Sequence, residues 1–310
     1  MINGILNIYK EKGYTSHDVV ARLRKITGQK KIGHTGTLDP DAEGVLPVCL
    51  GKATKVCDLL TDRDKTYEAV LLLGRTTDTQ DTSGTVLEEK PTEGITPEQT
   101  AACICGFEGE YDQIPPMYSA LKINGRKLYE LAREGKTVER KSRRVTIHRI
   151  RILEMDLPRV KMEVDCSKGT YIRTMCQDIG DRLGTGGCME RLVRTRSGCF
   201  EIGAARRLDE VAEIVQDGRL REILIPLDSV FADLPEGDVS GREAQKAFNG
   251  NPLSKKGLRI QKEPEPGERY RIYDPDGHFI GIYWYDADKM RFELEKMFLD
   301  PDEISSGRKN

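Results

Sequence analysis

The sequence predicts an α+β protein with a mixed β-sheet and a smaller β-rich region towards its C-terminal end. Helical and strand patterns interleave through most of the chain without the regular alternation that a doubly wound parallel sheet requires. From about Leu234 the composition changes to short runs rich in β-branched and aromatic residues. We therefore predict two domains, at residues 1–233 and 234–303, and a tail at 304–310.

The first predicted elements follow from hydrophobic spacing and capping residues. Thr15 or Ser16 is suited to cap a helix that Gly28 ends, because Asp18 stands three residues after Thr15. Apolar runs and helical spacing predict three neighbouring elements: a strand at Ile5–Tyr9, a second helix around Val56–Leu60, and a central strand in "TYEAVLLLG".

Later elements are predicted in the same way. Thr96, Pro97 and Gln99 form a capping-box helix start. The remaining segments are a helix from about Lys127 to Arg133, a half-buried strand in "RVKMEVDCS", a helix in "KGTYIRTMCQDIGDRLG" that ends at Gly184, and C-terminal strands in "LRIQ", "RYRIYDPDGHFIGIYWYD" and "RFELEKMFL". The turn Asp274–Gly277 predicts a hairpin between two of these strands.

Composition excludes several classes of protein. The 310 residues are 37% hydrophobic with a formal net charge of −2, and no stretch approaches the roughly 20 apolar residues of a membrane span. The eight cysteines are scattered through apolar segments and lack the spacing of a zinc site, so we expect reduced thiols and no metal. These features predict a cytoplasmic protein.

Charge is distributed unevenly along the chain. Residues 76–113 are mainly acidic, with Lys90 as their one base, whereas residues 122–151 contain eleven lysines and arginines against three glutamates. Such a basic segment is suited to a polyanion, and it is equally consistent with a solvated charged surface. Composition alone leaves both interpretations open.

The segment "KIGHTGTLDPDAEGVLPVCLG" places three carboxylates in a glycine-rich loop between apolar stretches. A calcium loop would need an acid at the twelfth position from Asp39, where Leu50 stands. A phosphate loop would place its anion beside three carboxylates and lacks the Gly-Lys-Ser/Thr ending. An outward-facing, nucleophilic Asp39 held by Pro40 remains, and so does a simple Asp-Pro turn, which the dipeptide alone favours.

Four segments occur in order along the chain: "GHTGTLDPDAEGVLP" followed by "GKATK", "DKTYEAVLLLGRTTDTQDTSG", "PPMYSALKINGRKLYELAREG" and "SKGTYIRTMCQDIGDRLG". This combination resembles the TruB family of tRNA pseudouridine synthases, and the β-rich C-terminal part resembles the PUA domain often appended to them. The resemblance covers nearly the full chain. It implies a mixed-sheet catalytic domain and a small PUA-like RNA-binding domain.

The resemblance also implies catalytic roles. Asp39 matches the family's nucleophile, acting at ribose C1′ or C2′ or at uracil C6, alternatives that the sequence leaves open. Arg173 matches the arginine that pairs with it, and a planar guanidinium is expected to lower the carboxyl pKa. Tyr67 matches the active-site tyrosine, a candidate to help remove the C5 proton. No organic cofactor is implied.

Further residues match substrate contacts in the family: Tyr171 and Leu192 in the pocket wall, His34 as the residue that accompanies base flipping, and Lys10 in the N-terminal motif. The implied substrate is the T-arm of tRNA, at the uridine of position 55, acted on by a monomer without guide RNA. Two alternatives stay open: a non-catalytic RNA-binding protein on the same scaffold, and a guide-RNA-dependent relative.

Overall fold

The computed structural model describes residues 1–299, so residues 300–310, including the predicted tail at 304–310, lie outside the described residues. The chain forms two compact units. One comprises residues 7–48 and 57–220, and the other comprises residues 1–6, 49–56 and, of the described chain, 221–299. The division of the chain at residue 233 stays a prediction.

The strands run from the first residues to the end of the described chain. In chain order they are β1 (Gly4–Lys10), β2 (Ile32–His34), β3 (Glu43–Leu50), β4 (Lys65–Leu73), β5 (Arg75–Thr77), β6 (Val86–Glu89), β7 (Gly109–Gln113), β8 (Lys122–Ile123), β9 (Arg126–Lys127), β10 (Arg143–Asp156), β11 (Arg159–Cys166), β12 (Gly187–Ser197), β13 (Phe200–Glu201), β14 (Glu236–Val239), β15 (Leu253–Ser254), β16 (Leu258–Ile260), β17 (Arg269–Tyr273), β18 (Phe279–Asp286) and β19 (Arg291–Met297).

Helices separate many of these strands. They are α1 (Ser16–Thr27), α2 (Cys57–Thr61), α3 (Pro97–Cys105), α4 (Leu128–Arg133), α5 (Ile172–Arg182), α6 (Leu208–Gln216) and α7 (Gly241–Phe248). The predicted caps are confirmed, since Thr15 and Asp18 form a capping box at α1 and Thr96 and Gln99 form one at α3. None of the described helices is long and apolar enough to span a lipid bilayer.

The main sheet is mixed, as predicted. Within the described residues it has nine strands in the order β1-β3-β12-β4-β11-β10-β7, with β2 paired to β3 and β13 to β12. Strand β12 runs parallel to β3 and antiparallel to β4. The run "TYEAVLLLG" is therefore a central strand, which confirms the prediction from its apolar length.

The central strands have one apolar face and one charged face. Val160, Met162 and Val164 of β11 are buried in a core with Ile172 and Ile179 of α5. This inner face also contains Tyr67, Ala69 and Leu71 of β4 and Leu192 of β12. The alternating side chains carry charge on the outer face, where Lys161 pairs with Glu68 at 2.9 Å.

A close approach of β3 to β12 requires a glycine. Gly44 has φ +102°, and a Cβ at this position would lie 2.2 Å from the Arg194 carbonyl oxygen. Any side chain would therefore push the two strands apart. The glycine brings the loop before β3 onto β12.

The C-terminal region forms its own sheet, in the order β15-β19-β18-β17-β14-β16 within the described residues. Its core includes Tyr270, Tyr283 and Phe292, and the predicted hairpin joins β17 to β18. Helix α7 was not predicted, although Ala244, Ala247 and Phe248 are buried at helical spacing. Together the two sheets confirm the α+β class.

Candidate active site

The loop between β2 and β3 carries Asp39 and is anchored close to that residue. The Leu38 N–H donates to Ser16 Oγ at 2.9 Å, so the start of α1 holds the residue before Asp39. The Gly13 N–H donates to the Pro40 carbonyl at 3.0 Å and holds the residue after it. The Asp39 backbone is thus restrained on both sides, and its side chain is 36% exposed.

Arg173 meets Asp39 in the geometry that the resemblance implies. Its Nε lies 3.0 Å from Asp39 Oδ2, and its Nη2 donates to Oδ1 at 3.2 Å, so the carboxylate is bound by two parallel contacts. The remaining donors are also used, by the carbonyls of Tyr118 at 2.9 Å and Thr79 at 3.1 Å. The guanidinium, only 6% exposed, is therefore fixed in orientation.

A second carboxylate, Asp81, reaches the same guanidinium and was not predicted. Its Oδ2 lies 3.7 Å from Arg173 Nη1, and its Oδ1 accepts from Thr79 Oγ1 at 2.7 Å and from the Ser83 N–H at 3.0 Å. Asp81 lies in the motif "DTQDTSG", which contains two acids, and the local sequence does not distinguish one from the other. One arginine thus bridges two loops that carry acids.

The net effect on the Asp39 pKa differs from the expectation. Burial raises this pKa above its ordinary value, and the nearby Asp81 charge acts in the same direction. The guanidinium of Arg173 lowers the pKa, as expected, but does not overcome the burial. Arg173 therefore limits the rise in the carboxyl pKa instead of depressing it below normal.

Tyr67 and Leu192 lie in the apolar wall of this region. Tyr67 is on β4 opposite Arg194 of β12, and Leu192 is opposite Ala69. Both side chains are buried in the inner core with Leu38, the neighbour of Asp39. Burial raises the Tyr67 pKa, so its phenol is protonated at neutral pH.

Tyr171 is held by a side chain that the sequence analysis missed. The amide of the buried Gln113 accepts from the Tyr171 N–H at 2.7 Å and donates to its carbonyl at 3.0 Å, as a neighbouring strand would. These two hydrogen bonds fix the backbone of the residue just before α5, and hence the position of the helix start that carries Arg173. No local pattern around Gln113 indicated it, because its partner lies 58 residues away.

His34 ends β2 and is paired with a second histidine. Its ring packs edge-on to that of His17, at the start of α1, with centroids 5.5 Å apart. Burial lowers the His34 pKa, and His17 and Arg194 add to that effect. The imidazole is therefore neutral at pH 7, which suits stacking or hydrogen bonding more than charge pairing.

Lys10 is buried against the loop that carries Asp39. Its side chain is 0% exposed, and its ammonium donates to the carbonyls of Ala42 at 2.6 Å, Pro40 at 3.0 Å and Glu11 at 3.2 Å. Burial lowers the Lys10 pKa to about 8. Lys10 therefore supports the loop behind Asp39, and its assignment as a substrate contact stays a prediction.

The basic segment is only partly neutralised. Arg144 binds Asp112 and Glu110, and Glu134 binds both Arg126 and Lys136. Five exposed bases of this segment have no acidic partner within 4 Å among residues 1–299: Lys122, Arg133, Lys141, Arg143 and Arg149. The charge of Arg143 acts on Tyr171, so one of these free bases lies near the site.

The assembled site presents one oriented carboxylate beside aromatic and aliphatic side chains. Such a carboxylate can attack an electrophilic carbon or remove a proton, and the fixed guanidinium stabilises its anionic form. All the site residues belong to the unit of residues 7–48 and 57–220. Arg173 and Asp39 come together; Lys10 stands behind the loop.

Two family models match consecutive parts of this chain. Residues 24–172 match the family model of the TruB family pseudouridylate synthase N-terminal domain, and residues 173–232 match that of the tRNA pseudouridylate synthase B C-terminal domain. Over 308 residues, covering 96% of this chain and all of the relative, the sequence is 50% identical to tRNA pseudouridine synthase B of Lachnoclostridium phytofermentans.

Two further relatives agree. The Bacillus pumilus tRNA pseudouridine synthase B is 41% identical over 98% of this chain and its own full length. A solved structure described as a Cbf5-Nop10-Gar1 complex has 27% identity and a TM-score of 0.75, covering 96% of this chain and 86% of that chain. The sequence comparisons and the fold comparison therefore agree that this chain is similar to pseudouridine synthases of the TruB and Cbf5 kind.

Proposed function

This chain belongs to the TruB family of pseudouridylate synthases, and on that premise we propose that it isomerises uridine to pseudouridine at position 55 in the T-loop of tRNA. The N1–C1′ bond of the nucleotide breaks and a C5–C1′ bond forms. The C5 proton is lost and N1 gains a proton, so the reaction needs no oxidant and consumes no water.

The observation that carries this proposal is the two-point contact between Arg173 and Asp39. An ionised carboxylate is required whether it attacks ribose C1′, removes a ribose proton or adds to uracil C6. The guanidinium favours that ionised form and fixes its direction, with Nε 3.0 Å from Oδ2. Arg173 thus acts on the nucleophile and Asp39 on the substrate.

The detached base needs a surface against which to turn. Tyr67 is assigned to the stacking wall, where base–aromatic stacking contributes about 1–3 kcal/mol. Before its oxygen can take the C5 proton, the buried phenol must lose its own, which the adjacent positive charge of Arg194 favours. Tyr171 and Leu192 complete the wall, and His34 supports the flipped-out state of the nucleotide.

The tRNA backbone is assigned to the bases without acidic partners in the basic segment, among them Arg143, whose charge acts on Tyr171. Phosphate contacts of this kind position the RNA without reading its sequence. The C-terminal β-rich region is assigned as a PUA-like RNA-binding domain. The protein works as a monomer in the cytoplasm, without a resident metal or organic cofactor.

The test replaces the nucleophile and uses its exposed neighbour as a control. Unmodified tRNA transcript is incubated with wild type, Asp39→Asn and Asp41→Asn, and pseudouridine at the T-loop is measured. We expect no product with Asp39→Asn and near wild-type rates with Asp41→Asn, because Asp41 is exposed in the same loop. Activity of Asp39→Asn at the wild-type rate would overturn the nucleophile assignment.

A second candidate function is guide-RNA-dependent modification. It is favoured by the fold similarity to a Cbf5-Nop10-Gar1 complex, at a TM-score of 0.75. Bare tRNA transcript and purified chain separate the two candidates: product formed without any guide RNA or protein partner supports the stand-alone enzyme. Product that appears only after a guide RNA is added would support the alternative.

A further inference from the structure

Arg194 is a buried cation to which the proposed reaction assigns no main role. It lies on the inner face of β12 and is 1% exposed. No carboxylate lies within 4 Å of it among residues 1–299, so its charge is not neutralised by an ion pair. Burying an unpaired charge costs several kcal/mol, which hydrogen bonds must offset.

Its hydrogen bonds go to the two ends of the loop that carries Asp39. The Nε donates to the Val45 carbonyl at 2.7 Å, and the Nη2 donates to the Gly36 carbonyl at 3.3 Å. Gly36 precedes Asp39 in the chain, and Val45 follows it. One planar group therefore sets the spacing between the start of the loop and the strand that ends it.

The same guanidinium lies against two other site residues. Tyr67 stands opposite Arg194 across the β4–β12 pair, and the positive charge of Arg194 lowers the pKa of the Tyr67 phenol, against the larger effect of burial. The charge of Arg194 also acts on His34, at the end of β2. Arg194 thus holds the loop by hydrogen bonds and lies near both the tyrosine and the histidine.

A bulge in β12 explains why Arg194 faces inward while Arg196 faces outward. The pairing with β4 shifts between these two residues, so that Arg194 is opposite Tyr67 and Arg196 is opposite Thr66. Arg196 instead donates to Asp165 Oδ1 on the charged face. Arg194 and Arg196 therefore form a matched pair for substitution, because they lie on one strand but only Arg194 contacts the Asp39 loop.

We propose that Arg194 is a positioning residue for the isomerisation, which holds the Asp39 loop at Gly36 and Val45 and so sets the position of Asp39 relative to Tyr67 on the neighbouring strand. It does not touch the substrate, because its side chain is enclosed. It acts through Asp39 and Tyr67, whose separation it fixes. This inference rests on the proposed function for its kinetic test, and on the loop geometry for a second test.

The experiment compares Arg194→Met, Arg194→Lys and the control Arg196→Met. Single-turnover rates and tRNA dissociation constants are measured with a T-arm RNA, and hydrogen exchange of the loop peptide 35–45 is measured without RNA. Arg194→Lys keeps the charge but cannot bond both carbonyls through one planar group. If Arg194→Met fails to fold, the rate and loop exchange of Arg194→Lys test the positioning role instead.

We expect Arg194→Met to lower the single-turnover rate about 100-fold, the effect of a small misplacement of a reacting group, with tRNA affinity within about threefold of wild type. Arg194→Lys should recover part of the rate. Both should speed exchange in the loop peptide, and Arg196→Met should change neither property.

Rates of both Arg194 variants within threefold of wild type, or unchanged loop exchange, would overturn the positioning role. If the wild type itself forms no pseudouridine, the proposed function fails, and the exchange measurement still tests the link between Arg194 and the loop. The two failures are therefore distinguishable.

Discussion

The two faces of β4, β11 and β12 use similar charged residues in opposite ways. On the side of the inner face, Arg173 of the packed helix α5 is 6% exposed and is bonded to Asp39 and to two backbone carbonyls. On the outer face Lys161 and Glu68 form a pair whose side chains remain 41% and 34% exposed. Both pairs join a cation to a carboxylate, but only the Lys161–Glu68 pair has both side chains open to water.

This difference determines what each charge contributes. Removing one partner of a buried pair leaves an uncompensated charge and costs about 3–5 kcal/mol, whereas an exposed pair contributes about 0–1 kcal/mol. Buried charges with fixed partners can also orient a reacting group, which mobile surface charges cannot. The inner face should therefore be sensitive to substitution and the outer face tolerant.

Substitution of Arg173 should have the largest effect. Arg173→Met leaves Asp39 and Asp81 close together without their shared cation, so we expect the single-turnover rate to fall about 100- to 1,000-fold or more. Arg173→Lys should be impaired less, because a point charge remains. Rapid-quench measurement on a T-arm RNA provides the rates; an Arg173→Met rate near wild type would contradict the role of the inner pair.

The pH profile should change next. Burial raises the Asp39 pKa, and its ionised form is the active one, so activity should fall as pH decreases through that raised value. Arg173 lowers the pKa; Arg173→Lys, which weakens the contact, should move the acidic limb to higher pH. The groups acting on Asp39 include Asp81, Lys10 and Asp41. An unmoved limb in the rate profile would argue against Asp39 as the titrating group.

Two adjacent arginines of β10 offer a smaller, sharper comparison. Arg144 is bound to Asp112 and Glu110, while Arg143 has no acidic partner within 4 Å among the described residues. Arg143→Ala should weaken tRNA binding and reduce the salt dependence by about one counterion, with a smaller change for Arg144→Ala. Filter binding over a salt series measures both. Equal slopes for the two variants would remove Arg143 from the RNA surface.

The smallest effect is expected on the outer face. Lys161→Met breaks the exposed pair with Glu68 and should change the free energy of unfolding by about 1 kcal/mol or less, without loss of activity. Urea denaturation and the tRNA assay provide the two measurements. A loss of activity comparable to that of Arg173→Met would abolish the distinction between the faces.

Local elements were predictable because their causes lie close together in the chain. The capping boxes at Thr15 and Thr96 and the alternation of Val160, Met162 and Val164 are each complete within a few residues. Helix α7 escaped prediction because its short apolar stripe stands among strand-forming segments. Asp81 and Gln113 escaped because their partners are distant in sequence.

The α+β class, five of the seven described helices, fewer than half of the described strands, and the motifs through which Asp39 and Arg173 were assigned could be predicted from the sequence alone. Only the tertiary structure decided which charges meet. Asp39 and Arg173 are 134 positions apart, Lys10 binds carbonyls 30 and 32 positions away, and Arg194 reaches back to Gly36 over 158. The physical reason is that burial and hydrogen-bond geometry set the role of a charge, and both arise only when the sheet has formed.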